Sequence, residues 1–189
     1  MMKLINIILL LVSVSLLISQ ENQETSTKYP FGRLSPNAPH QVADYKLLIG
    51  TCDCESSKRK AGKSWEIPQK MTWTFKYIMN GTAVQDETIK EDGSHSGSIR
   101  QFVADSSKWY VHWYSSQKPK AKLSTWSGSN KGGDIVLKQN QKAPNGMDGF
   151  YRITFRNITS EGFDWTGAWI NVTETIIYPT WKISCLKRE

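Results

Sequence analysis

The sequence predicts an all-β protein, an antiparallel up-and-down β-barrel of about ten strands with a short N-terminal helix at one end. Segments in which apolar and polar residues alternate follow one another along most of the chain, and turn residues separate them at roughly even spacing. The links between these segments are short, which favours an up-and-down order because Greek keys need long connections. The first and last segments both contain cysteine, as expected if they are neighbours in a closed barrel.

The chain opens with a pattern typical of a secretory signal peptide. Lys3 precedes an almost unbroken apolar run at 4–18, and the small residue Ser19 stands where cleavage would occur. The run is shorter than the ~20 apolar residues that a membrane-spanning helix needs, which argues against an anchor. We therefore predict a signal peptide at 1–19, a secreted or periplasmic protein, and no stable membrane insertion after cleavage.

A polar segment without periodicity follows at 20–38, and its composition predicts a flexible lead-in. The barrel domain is predicted to span 39–189. Its first element is a short helix that begins at Pro39 and ends before Gly50. Three apolar side chains share one face of this helix, namely Val42, Tyr45 and Leu48.

After the helix, the chain consists of strand candidates separated by turns. The clearest is KMTWTFKYIM at 70–79, which alternates large apolar or aromatic residues with Thr and Lys. It is followed by Asn80–Gly81, the strongest short signal for a β-hairpin. Ten segments qualify as strands: 48–55, 70–79, 82–90, 95–104, 108–115, 121–128, 134–142, 150–158, 163–172 and 174–186.

The cysteines predict a disulfide between the two ends of the barrel sheet. Cys52 and Cys54 lie on the first strand candidate, and Cys185 lies on the last. Residues two apart on a strand are separated by about 6.5 Å, whereas disulfide-bonded Cβ atoms are about 3.8 Å apart, so Cys52 and Cys54 cannot readily bond each other. In a ten-stranded closed barrel the end of the last strand lies beside the start of the first. We predict a Cys52–Cys185 disulfide, with Cys54 as the second choice.

Several short segments carry a resemblance to a known class of barrel. HQVADYKLLIGTC at 40–52 is similar to a short helix with His and Leu followed by an L-x-G-T-W strand. The matching positions are His40, Leu47 or Leu48, Gly50 and Thr51. Cys52 stands where that pattern has Trp, and the segments 112–116 and 162–169 are similar to later parts of it. Over roughly 39–185 the chain therefore resembles the lipocalin-like, calycin-type barrels, above all a secreted bacterial group of unassigned function. The resemblance implies the barrel fold.

Motifs for metal, cofactor and common catalytic chemistry are absent from the sequence. The 3 histidines share no metal-ligand spacing, and the 3 cysteines form no C-x-x-C. Nitrobindin-like barrels, which are related to the resembled group, bind haem through a late His, but no His follows His112 here. The net charge of +7 comes from scattered lysines, with one cluster at 56–63. We therefore predict no metal, no cofactor and no nucleic-acid partner.

The candidate site comes from strand alternation. In the clearer strands, odd-numbered residues form the apolar face. If odd-numbered residues also face inward at 82–90 and 95–104, polar side chains from these two strands point into the barrel. A partly polar barrel interior predicts a cavity. The alternative is a β-bulge that reverses the parity and exposes them. The predicted ligand-binding residues are Glu87, Gln85, Gln101, Trp73, Tyr77, His112, Tyr151 and Trp165.

Three functions fit these observations. The favoured one is a secreted, non-catalytic barrel that binds a small, partly apolar molecule in its cavity. The first alternative is an enzyme that uses Glu87 as acid or base with His112 as its partner, since burial raises the pKa of an unpaired carboxyl. The second is a carbohydrate-interacting module with exposed aromatic side chains, drawn from the 8 tryptophans.

Overall fold

Ten antiparallel strands close into a barrel in the computed structural model of this protein, which describes residues 22–59 and 64–188. Each strand pairs with its neighbours in sequence, and the first strand pairs with the last. The prediction of an all-β, up-and-down barrel is therefore confirmed. The predicted signal peptide at 1–19 lies outside the described residues.

The strands match the segments that the sequence pattern indicates, and turns separate most of them. Their bounds are β1 (Gly50–Lys58), β2 (Gln69–Ile78), β3 (Ala83–Lys90), β4 (His95–Val103), β5 (Lys108–Ser115), β6 (Ser124–Lys131), β7 (Asp134–Asn140), β8 (Gly149–Arg156), β9 (Gly162–Asn171) and β10 (Ile177–Lys187).

A 3₁₀ helix at His40–Leu48 lies at one end of the barrel. Val42, Tyr45 and Leu48 are fully buried, and their spacing of three residues matches the three residues per turn of a 3₁₀ helix. Asp44 accepts a hydrogen bond from Trp109 Nε1 at 2.9 Å, which ties the helix to the start of β5. The predicted short helix is thus present as a 3₁₀ helix, and it lies between the lead-in and β1 rather than at the N-terminus.

We call this end of the barrel the closed end; the turns after β2, β4, β6 and β8 lie there. Residues 22–38, part of the predicted lead-in, also contact it. The Gln23 amide donates to Asn80 Oδ1 at 2.7 Å, and the Tyr77 amide donates to the Phe31 carbonyl at 2.9 Å. Composition alone did not indicate these contacts, since they depend on the position of the β2–β3 hairpin.

The disulfide that joins β1 to β10 is Cys54–Cys185. The strand register places Cys54 directly opposite Cys185, with their Cα atoms 4.1 Å apart, and places Cys52 opposite Lys187. The predicted Cys52–Cys185 pairing is therefore wrong, and the second choice, Cys54, is confirmed. The error arose because β10 continues for two residues beyond Cys185. Cys52 is a buried free thiol.

Aromatic rings fill the closed half of the barrel. Trp73, Phe75, Phe155 and Phe163 form a mutually packed group with ring centroids 5.2–6.1 Å apart. Tyr45 of the 3₁₀ helix packs edge-on against Trp109 and extends this core toward the closed end. The other half of the barrel is not filled in this way, and the candidate site lies there.

Candidate functional site

A cavity of about 290 Å³ lies inside the barrel, on the side of the core away from the closed end. Its lining reaches Met71, Lys90, Ser96 and Gln141, which lie at the ends of strands that face the opposite opening. We call that opening the mouth. The volume is near the lower limit of the ~300–1,000 Å³ typical of small-molecule sites.

One wall of the cavity is polar and is built by β3 and β4. Even-numbered residues of both strands face inward, and the register places Asp86 beside Ser98 and Thr88 beside Ser96. Thr88 Oγ1 and Ser96 Oγ are 2.6 Å apart, so these two hydroxyls hydrogen-bond each other. We call this wall the polar strip, and its members are Asp86, Thr88, Lys90, Ser96, Ser98 and Arg100.

The opposite wall is aromatic. Its side chains come from β2, β5, β6, β8, β9 and β10, so they surround most of the cavity circumference. Trp165 and Trp181 pack edge to face with ring centroids 5.2 Å apart, which holds both rings in place. We call this wall the aromatic wall, and its members are Trp73, Trp113, Trp126, Tyr151, Trp165 and Trp181.

The floor of the cavity is a buried ion pair between Asp86 and Arg100. Arg100 Nη2 donates to Asp86 Oδ2 at 2.5 Å, and Trp73 Nε1 donates to Asp86 Oδ1 at 2.8 Å. The two charged side chains are only 3% and 2% exposed. Burial by itself lowers the pKa of Arg100, but the Asp86 carboxylate and the Tyr45 hydroxyl together outweigh it, so the pKa is raised and the guanidinium stays charged.

Aromatic rings enclose the remainder of the Arg100 guanidinium. Its central carbon lies 5.1 Å from the ring centroid of Tyr45, 5.5 Å from that of Phe75 and 5.3 Å from that of Phe155. Burial raises the pKa of Tyr45 to about 12, with the positive charge of Arg100 opposing the shift. The ion pair therefore joins the cavity to the core and to the 3₁₀ helix.

The residues predicted to lie inside on β3 and β4 lie outside instead, which corrects the parity assignment. Glu87 is 55% exposed, and its Oε1 lies 2.9 Å from His95 Nδ1 on the outer surface. Gln85 donates to the Tyr114 hydroxyl at 2.9 Å, and Gln101 is exposed. No β-bulge causes this reversal, since the β2–β3 register is continuous.

The hairpin explains the reversal. Residues directly opposite each other on antiparallel strands share a face, and Tyr77 lies opposite Val84. An inward-facing residue with an odd number on β2 therefore lies opposite an inward-facing residue with an even number on β3. The signal was available in the sequence, because a two-residue turn at Asn80–Gly81 also pairs odd with even positions. It would have identified Asp86 and Thr88 as inward residues.

The other predicted site residues divide between the cavity, the core and the surface. Trp73, Tyr151 and Trp165 line the cavity. Tyr77 is buried nearer the closed end and does not line it, and burial raises its pKa to about 12. His112 faces outward, where its Nδ1 lies 3.0 Å from Thr125 Oγ1.

No protein-family model matches this chain, and no curated protein matches it either. The closed ten-stranded antiparallel barrel is consistent with the lipocalin-like resemblance at the level of fold. Within residues 22–59 and 64–188, no cluster of three or more His, Cys, Asp or Glu residues has the geometry to hold a metal ion. The helices in that part of the chain are too short and too polar to cross a membrane.

Proposed function

We propose that this protein is an exported, lipocalin-like barrel that binds a small, partly apolar molecule in its cavity. The observation that carries the proposal is the two-sided lining, in which the polar strip faces the aromatic wall. Ligand sites combine apolar surface with a few placed polar groups, whereas a purely structural barrel fills its interior with packed side chains. The Cys54–Cys185 disulfide supports export, because disulfides persist mainly in oxidising compartments.

The geometry does not favour the enzyme alternative built on Glu87 and His112. Both side chains face away from the cavity, and Glu87 is paired with His95 at the surface. Asp86, the carboxylate that does face the cavity, is engaged by Arg100 and Trp73. A group held in this way is suited to supporting the cavity floor rather than moving a proton.

The carbohydrate alternative requires an array of exposed aromatic rings. Five of the tryptophans line the cavity instead, and Trp109 is fully buried in the core. Among the described residues, Trp65 is the most exposed tryptophan, at 36%, and Trp169 is half-buried outside the cavity. The aromatic surface is therefore directed inward, where it is available to a small molecule that enters the barrel.

The test is to fill the cavity and measure binding of a neutral aromatic probe, 2-naphthalenemethanol. Ser98 projects inward at the middle of the polar strip, so Ser98→Phe should occupy the cavity and abolish quenching of tryptophan fluorescence by the probe. Gln101→Phe is the matched control, because it adds the same side chain to the outer face of the same strand. Equal binding by both variants would show that the probe binds elsewhere.

A further inference from the structure

The charges in the cavity lining do not balance. Among the described residues, the lining contains two cations, Lys90 and Arg100, and one carboxylate, Asp86. Because Asp86 and Arg100 neutralise each other in a buried pair, the positive charge of Lys90 remains. A ligand that rests against this lining therefore meets a net charge of one unit, located at the mouth.

Lys90 is positioned to bind an anion. It is the last residue of β3, faces inward opposite Met71 of β2, and is partly buried. Within the described parts of the chain, no side chain forms an ion pair or a hydrogen bond with its ammonium. Burial lowers the pKa of Lys90, and the nearby charge of Lys58 lowers it further, while Asp92 opposes these effects.

The aromatic wall also contains a buried donor without an acceptor. Trp126 is a member of the aromatic wall, and its Nε1 is buried with no hydrogen-bond partner among the described residues. Most buried N–H groups are paired, so an unpaired one is unusual. Arg100 Nε and Nη1 are likewise buried without a hydrogen-bond partner among the described residues. Lys90, which is only partly buried, is therefore the donor that a ligand at the mouth can reach, and an ammonium group cannot bind a donor or a cation.

The aromatic wall restricts the shape of the ligand, and the lysines near it disfavour a cation. Flat rings pack best against other rings in offset or edge arrangements, which favours a planar molecule. The small cavity also favours a rigid ligand, because ordering a long flexible chain costs conformational entropy. A cationic ligand would be repelled by Lys90, and the ring of Trp181 already has Lys58 Nζ at 4.8 Å from its centroid.

We propose that the cavity binds a planar aromatic monocarboxylate, with the ring against the aromatic wall and the carboxylate at Lys90. This inference rests on the proposed function and adds the chemical class of the ligand. In this proposal, Lys90 selects an acid over a neutral analogue of the same size.

The test compares 2-naphthoate with 2-naphthalenemethanol, which share a ring system and differ in charge. The wild-type protein should bind the acid about tenfold more tightly, the size expected for one partly exposed charge-assisted hydrogen bond. Lys90→Met should remove this preference by weakening the acid and not the alcohol, and Lys90→Arg should retain it. Lys142→Met, which alters a mouth lysine already paired with Asp148, is the matched control and should change neither affinity.

The outcomes separate the two proposals. Equal binding of the acid and the alcohol, or a preference that persists in Lys90→Met, would overturn the inference and leave the cavity function standing. If neither probe binds to the wild-type protein, the cavity function itself fails, and the ligand class fails with it. Tryptophan fluorescence and calorimetry of the full exported chain provide both affinities.

Discussion

The buried ion pair between Asp86 and Arg100 leads to a quantitative prediction about the stability of the barrel. Asp86→Asn keeps the size of the side chain and removes its charge. Arg100 would then remain charged, 2% exposed and enclosed by three aromatic rings, without a counter-ion. Trp73 Nε1 would also lose a charged acceptor at 2.8 Å.

The expected loss follows from that burial. Removing one partner of a buried ion pair typically costs about 3–5 kcal/mol, because the other charge is left uncompensated. We expect Asp86→Asn to lower the free energy of unfolding by this amount. For a chain of this size, each kcal/mol corresponds to about 2–4 °C in Tm, so Tm should fall by roughly 6–20 °C.

Urea denaturation followed by tryptophan fluorescence and circular dichroism provides the measurement. Asp53→Asn is the matched control, since Asp53 pairs with Arg188 at 2.6 Å but the pair is 50–62% exposed. Exposed pairs contribute little, so this control should unfold like the wild type. The double variant Asp86→Leu/Arg100→Met should be more stable than Asp86→Asn because no buried charge remains. A loss below ~1 kcal/mol in Asp86→Asn would refute the reasoning about an uncompensated charge.

Three further predictions follow from the ends of the chain and from the core. Replacing Cys54 and Cys185 with Ser should lower the free energy of unfolding by about 5 kcal/mol in the chain-entropy model, given their separation of 131 residues; denaturation without reductant would show it. Burial raises the pKa of Tyr45 to about 12, above its unfolded value near 10, so its contribution is complete below pH ~10 and is lost as pH rises toward 12. Between pH ~10 and ~12, Tm should therefore fall less steeply with pH for Tyr45→Phe than for the wild type. An identical dependence of Tm on pH would contradict this prediction. We predict export with cleavage after Ser19, so N-terminal sequencing of the mature protein should begin near Gln20, and an intact Met1 would contradict cleavage.

The sequence by itself determined the architecture, because strand alternation and turn chemistry are local properties. The pattern at 70–79 and the Asn80–Gly81 turn are enough to indicate β2 and the hairpin that follows it. The spacing of Val42, Tyr45 and Leu48 likewise indicated a helix with one buried face. The presence of cysteine on the first and last strands was also sufficient to predict that a disulfide closes the barrel.

The tertiary structure decided the register, and with it the site. Strand side chains alternate with a period of two, so a shift of one residue moves an entire strand face from the core to the solvent. Applying one parity to β2 and β3 therefore placed Glu87 inside and Asp86 outside, the reverse of what the pairing shows. The same kind of offset between β1 and β10 decided that Cys54, and not Cys52, meets Cys185. Local sequence patterns identify the strands, but the face that a residue occupies depends on its partner across the sheet, which only the folded barrel brings into place.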